Sequence, residues 1–339
     1  MRMKEMTLSQ KKKVSNVFNV SRCIAILSVI TAHTTFDIDN LVLFNLIKRF
    51  SSIGVIAFII ISGYYFNPKK YNTIKSFMKS KLSTIVIPWF VIGTLVFLEA
   101  RIVMGQSIDV LSWLKFLIGH NSYLYYLTVL MICYLIYFYP VKNNKTTIVC
   151  VISVVITVLS QQLTAWGLVD TGKIYLTDYL NIFNWVGYFC LGVYLKRINV
   201  YNLLTVFKKH IALFIILWLI VFALAYRFDS KTGYFSLFGI PLQIIGAVIV
   251  FGICSVDIFD CKVTRYISKI SFCVYLVHMA VVSIVYKFLG NLDFIKLLVP
   301  LVTLLSITSI LFVCEKVSYK LKISGLFYKL SGIRNERKD

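Results

Sequence analysis

Arg22 and His33, two side chains that an apolar helix seldom keeps, stand eleven positions apart in SRCIAILSVITAH. Eleven steps of about 100° return to within about 20° of the starting direction while the helix rises about 16.5 Å, so both project along one stripe. A guanidinium at one end of such a stripe suits an anion, phosphate above all. An imidazole at the other end suits proton transfer, because it titrates near neutral pH. Each also has a plainer reading: an Arg five residues into a span snorkels to headgroups, and a single His packs through one hydrogen bond. The shared face favours the chemical pair.

A charged side chain at a membrane-helix centre costs about 2.5–3.5 kcal/mol by insertion scales, so ionisable residues kept there are functional candidates. Besides Arg22 and His33, only Glu99 and His278 fall within apolar runs, with His120 and His210 at run ends. A base such as His33 needs an acceptor on its second nitrogen. Asp37 lies one turn further on, on nearly the same face, and Glu99 sits about seventeen residues along the third run, at a depth close to that of His33. Either acid fits. His278, with Tyr275 three residues earlier, is placed to donate a hydrogen bond to a developing oxyanion or to position an acceptor.

The elements that carry these residues follow from composition. A chain of 339 residues that is 59% hydrophobic and 15% charged, with mean hydropathy +0.81, is no water-soluble globule, for which the values are roughly 45–50% and 25%. Apolar residues come in continuous runs and do not alternate with polar ones, which excludes an outer-membrane barrel. Runs long enough to span lipid cover 17–36, 50–67, 82–104, 121–141, 146–164, 179–195, 210–227, 237–256, 270–288 and 294–314. The sequence therefore predicts an all-α polytopic protein of ten transmembrane helices. Segment 1–16 precedes a single membrane domain over 17–314, and a basic tail follows over 315–339.

Alternate connections, with both termini among them, hold 26 basic against 6 acidic residues, and the other set 9 against 7. Basic residues near span ends stay in the cytoplasm, so both termini are expected there, as an even number of spans requires. The same asymmetry explains most of the +22 charge without nucleic acid, for which no motif is present, though it also draws anionic metabolites to that face. The first run lacks a signal-peptide cleavage site and reads as a retained helix. Eight scattered cysteines without a CxxC pair argue against disulfides and against a metal site.

The Arg22–His33 segment resembles the first-helix signature of the acyltransferase-3 family of bacterial integral membrane proteins. GVIAFIIISGYYF (54–66) is similar to that family's second-helix pattern ending in SG and an aromatic. FMKSKLSTIVIPW (77–89) resembles its basic stretch running into Pro and an aromatic, and ISFCVYLVH (270–278) its late YLxH element. The ordered set spans about 18 to 314. Tyr125, Tyr126 and Leu127 depart from the pattern, since many members carry Trp before the aromatic-Leu pair. Lys79 and Lys81 replace Arg, which keeps charge but loses bidentate contacts. No attached extracytoplasmic SGNH-type domain is found, so the resemblance implies a stand-alone form.

The resemblance implies an enzyme of the bacterial plasma membrane that takes an acyl group, usually acetyl from acetyl-CoA, to a hydroxyl of an envelope glycan or glycolipid. Mapped onto this chain, Arg22 with Lys79, Lys81 and neighbouring Lys69, Lys70 and Lys75 would meet CoA phosphates. Ser62, Gly63 and Tyr64 would flank the pantetheine arm, with helix packing an equal reading of Gly63. His33 would act as general base. Aromatics crowd the opposite side (Trp113, Tyr123, Tyr125, Tyr126, Trp166, Tyr175, Tyr179), where interfacial belts are a commoner cause than sugar binding. The rival reading is a secondary transporter or flippase for an envelope glycan or another anionic solute. Coupled transporters usually place acids near mid-membrane and repeat their halves; here Glu99 lies near an end and no repeat is visible.

Overall fold

The computed structural model describes residues 6–34, 41–120, 122–168, 177–229, 231–289 and 297–334. Among them every regular element is helical. In chain order these are α1 (Leu8–Ala32), α2 (Leu41–Ser51), α3 (Ile53–Tyr65), α4 (Ile74–Lys81), α5 (Ile87–Val103), α6 (Val110–Ile118), α7 (Tyr125–Lys142) and α8 (Thr146–Ala165). They continue as α9 (Val186–Leu195), α10 (Val200–Lys209), α11 (Ile211–Phe228), α12 (Gly239–Cys254), α13 (Lys262–Leu289), α14 (Val299–Lys320) and α15 (Ser324–Ser331).

Eight helical segments of the described residues are long and apolar enough to cross a membrane. The expected ten included 179–195 and 237–256. In the structure these hold the shorter α9, ten residues entered through 3₁₀ turns at Asp178–Leu180 and Ile182–Asn184, and α12, sixteen residues. At 1.5 Å per residue α9 covers only about 15 Å, half a hydrocarbon core. Apolar composition alone set the expected length, and composition does not register the 3₁₀ entrance.

Helix α9 sits in the interior instead, packed on α3 and α8. Its contact with α3 is a reciprocal glycine pair. A Cβ on Gly63 would come within 2.1 Å of the Phe189 carbonyl oxygen, and one on Gly192 within 1.9 Å of the Ile60 carbonyl oxygen. Small residues let membrane helices approach backbone to backbone, the available drive where lipid removes the hydrophobic one. At the other extreme stands α11, with the highest mean hydropathy of the spans, 2.5, and only 17% of its apolar window buried. It offers Leu213, Ile216 and Ile220 outward, as a lipid-facing helix does.

Helix α1 lies against α3, α13 and α12. Its stretch from Asn16 to Cys23 is tied to the start of α13: Asn16 donates to Asp260 at 2.5 Å and the Cys23 thiol to the Thr264 carbonyl at 2.9 Å. The Arg334 backbone reaches the Lys269 carbonyl at 3.5 Å, so the beginning and the end of the described chain share one end of the bundle. Between α4 and α5 the helix widens into a π turn, Leu82–Val86. Pro88 explains it: a proline has no N–H for the carbonyl four residues back and its ring crowds that carbonyl.

Candidate active site

Arg22 is buried on α1. Its Nη1 donates to Asn19 Oδ1 at 2.8 Å, and its guanidinium stands 5.0 Å from the centre of the Tyr65 ring. Asn19 also accepts from Ser268 Oγ at 3.3 Å, which joins α1 to α13. Arg22 opens onto a cavity of about 610 Å³ with Ser62 and Tyr65 from α3, Lys81 from α4, Ser83 and Thr84 from the π turn, Tyr126 from α7 and Tyr275 from α13. The widened turn that Pro88 enforces is what bares Ser83 and Thr84 to this space. Ser62 Oγ and the Tyr126 hydroxyl lie 3.1 Å apart, and Lys81 Nζ rests 5.3 and 5.2 Å from the rings of Phe77 and Tyr134.

His33 caps the carboxyl end of α1, its N–H bonded to the Ile30 carbonyl. It lines a second cavity, about 630 Å³, with Lys48, Glu99, Tyr123, Tyr125, Tyr179 and Tyr234. Lys48 Nζ donates to the Ala32 carbonyl at 2.9 Å, a cation on the last carbonyls of α1, where the helix dipole favours one. That contact fixes the turn carrying His33. One wall is the 231–238 turn, which brings in Thr232, Gly233 and Tyr234.

That turn is held by Arg49 of α2, which is as fully buried as any apolar core residue. Its Nη1 lies 3.7 Å from Asp229 and 3.4 Å from Ser236 Oγ, and its Nη2 donates to the carbonyls of Ala225 at 3.3 Å and Lys231 at 3.1 Å. Arg49 stands one residue ahead of the second apolar run, so counting charges inside runs passed over it.

Behind His33 stands His278, fully buried, with ring centres 5.3 Å apart. The Tyr123 ring closes the group, 4.8 Å from His278 and 6.3 Å from His33. His278 Nδ1 lies 2.7 Å from the Tyr275 carbonyl. A carbonyl only accepts, so Nδ1 carries the proton and Nε2 of the neutral ring is a lone pair. Nε2 is buried without a hydrogen-bond partner in the structure. The neutral ring thus offers an acceptor at Nε2; of the two expected roles, positioning an acceptor needs no further proton, while donating to an oxyanion would need the imidazolium form.

Arg22 and His33 open into different cavities. Tyr275 lines both. Its hydroxyl donates to the Tyr123 carbonyl, and the Tyr123 hydroxyl returns a bond to the Leu276 carbonyl at 2.5 Å. Tyr125 and Tyr126, about 100° apart at the start of α7, face the His33 and Arg22 cavities respectively. Four tyrosines from α6–α7 and α13 therefore make the partition.

Of the other expected site residues, Ser62 and Lys81 line the Arg22 cavity and Glu99 the His33 cavity. Gly63 is turned to α9 and serves close packing. The Tyr64 ring packs 4.6 Å from Phe18, and neither Tyr64 nor Lys79 lines the cavity. Asp37 lies outside the described residues. Among the described residues no carboxylate is hydrogen-bonded to His33; Glu99 lines the same cavity. Asn19, Lys48 and Arg49 escaped the sequence reading. Asn19 had one available signal, its place one turn before Arg22 on the same face.

A model of the acyltransferase-3 family, described as an acyltransferase domain, matches residues 16–314. Comparison with curated proteins and with solved structures found no match. The family match covers most of the chain, and the chain belongs to that family: it is a multi-pass membrane acyltransferase.

Proposed function

We propose, with that membership as the premise, that the protein carries an acyl group, most simply acetyl, from cytosolic acyl-CoA to a hydroxyl of an envelope polysaccharide or glycolipid at the bacterial plasma membrane. The observation that carries this reading is the pair of cavities meeting at Tyr275, one edged by cations and the other by imidazole and tyrosine. Acyl-CoA is polyanionic at one end and apolar along its arm. Arg22 and Lys81 suit its phosphates, and the rings of Tyr65, Tyr126 and Tyr134 suit the arm that leads toward the partition.

The acceptor hydroxyl enters from the His33 side. Its proton passes to His33, its oxygen attacks the thioester carbonyl, and the tetrahedral intermediate collapses with the C–S bond breaking. The thiolate of CoA leaves and takes up a proton. His278 presents an unprotonated Nε2 in the second layer, next to His33. There it serves as the orienting acceptor for the imidazolium that His33 becomes, the part an acid plays in other dyads. Direct transfer requires the tyrosine partition to part when both substrates are bound.

Inverted membrane vesicles bearing the protein, given labelled acetyl-CoA at the exposed cytoplasmic face, test this reading. Label is expected on glycan inside the vesicle, and not in vesicles bearing His33→Ala at equal protein level. Equal labelling by His33→Ala, or no acetyl transfer by the native protein with any membrane glycan fraction, would overturn it.

A further inference from the structure

The Arg22 cavity has a wall that lies beyond the family match. Residues Gly325, Tyr328, Lys329, Gly332, Ile333 and Arg334 line it, whereas the match ends at 314. This tail is built into the fold and does not trail from it. Helix α15 packs on α5 and α14. The Tyr328 hydroxyl donates to Glu315, which also pairs with Lys269 at 2.5 Å. Gly332 ends the helix at φ +68, a conformation that costs glycine nothing, and a Cβ there would come 2.5 Å from the Phe272 ring and 3.1 Å from Pro88. Ile333 is 3% exposed.

So seated, the tail brings two cations to a space that already holds two. Arg22, Lys81, Lys329 and Arg334 all line the one cavity, and among the described residues no carboxylate lines it. Lysines elsewhere on this end of the protein are dispersed and explained by membrane orientation. These four come from α1, α4, α15 and the segment after it, and converge. Like charges gathered round a half-apolar cavity repel one another, and a ligand with several negative charges turns that repulsion into attraction.

We propose that segment 324–334 is a working part of the donor site, closing the Arg22 cavity and gripping the phosphates of the acyl donor through Lys329 and Arg334. The identification of that donor as an acyl-CoA rests on the function proposed above; the preference for a polyphosphate anion rests on the convergence of these cations on one cavity.

The test uses the full-length protein in detergent micelles, with coenzyme A and inorganic pyrophosphate as separate calorimetric probes. The double variant Lys329→Gln/Arg334→Gln is expected to weaken coenzyme A binding on the order of 10–100-fold and to flatten its salt dependence, as loss of two charge-assisted contacts does. Arg334→Lys should recover most of the affinity. Lys320→Gln, a cation of the same region outside the cavity, should leave it unchanged, and the far-UV circular dichroism of the double variant should match the native protein. Native-like coenzyme A and pyrophosphate affinity in the double variant would overturn the proposal and leave the donor assignment standing. A native protein that ignores coenzyme A yet binds pyrophosphate in a tail-dependent manner would sink the donor assignment and support the tail site. Binding of neither probe by the native protein would overturn both.

Discussion

The two cavities are nearly equal in size, about 610 and 630 Å³, and walled by similar aromatic and aliphatic side chains, yet they are built to opposite ends. The Arg22 cavity is edged by four cations, two of them on the chain's tail, and by hydroxyls, with no carboxylate among its described lining. The His33 cavity mixes one cation, one carboxylate, an imidazole and several phenols, so it both donates and accepts. The difference teaches that volume and apolar lining say little about task. On the function proposed above, a few polar groups set one space to select for charge and the other to move a proton.

The sharpest way to break this comparison is to remove His33, the proposed proton acceptor. His33→Ala is expected to lower kcat about 10²–10⁴-fold, the usual worth of a positioned general base. The KM for the acyl donor should stay within about twofold, because His33 does not line the donor's cavity. A donor KM that rises with the loss of rate would mean the cavities are not functionally distinct. Parallel kinetics on solubilised protein with varied donor and fixed acceptor read both quantities.

Arg49 offers the next largest effect. Its guanidinium and Asp229 are both almost fully buried, and truncating one member of such a pair costs about 3–5 kcal/mol, because the other charge is left in a place that water does not reach. Arg49→Ala is therefore expected to lower the thermal midpoint strongly. In whatever folded fraction remains it should raise the acceptor KM, since the 231–238 turn walls only the His33 cavity. A midpoint within about 1 °C of native would show that the pair does not hold that turn.

Arg22→Gln probes the other side. Losing a charge-assisted contact of about 1.5–3 kcal/mol corresponds to roughly 10–100-fold in donor affinity. Donor kcat/KM should fall by that factor while the acceptor KM does not move. Should Arg22→Gln instead raise the acceptor KM with donor binding intact, the assignment of the two cavities would be reversed.

How much of this was legible in the sequence follows from what each signal measures. Helical class depends on local periodicity and survived intact, whereas the Arg22–His33 stripe leads into two cavities and not one, and the run 82–104 read as one unbroken helix although Pro88 loosens it into a π turn. Pairwise contacts between distant segments left no such trace. Nothing local tells that Gly63 faces the Phe189 carbonyl, or that Arg49 finds a cage of carbonyls near Asp229. The tail read as a basic overhang because its positive charge was already explained by orientation; only its docking on Phe272 and Pro88 turns it toward a cavity. Nor does a stripe on one helix reveal that Tyr275 of α13 divides the space in front of it.

That division is what the smallest effect tests. Tyr275→Phe keeps the ring that separates the cavities and removes the hydroxyl that ties it to the Tyr123 carbonyl, a hydrogen bond worth about 0.5–1.5 kcal/mol net. If the partition must part for the thioester to meet the acceptor, loosening its tie has two opposed consequences. Opening becomes easier, while the Tyr123 backbone beside His33 and His278 becomes less firmly held. The expected net change in kcat is at most about fivefold, with both KM values unchanged. The discriminating signature is uncoupled hydrolysis, because a looser wall lets water from the His33 side reach the donor. Release of free coenzyme A without acceptor, followed by thiol titration, should rise in Tyr275→Phe relative to the native protein. Coupling as tight as native would mean that this hydroxyl has no part in keeping the two cavities apart.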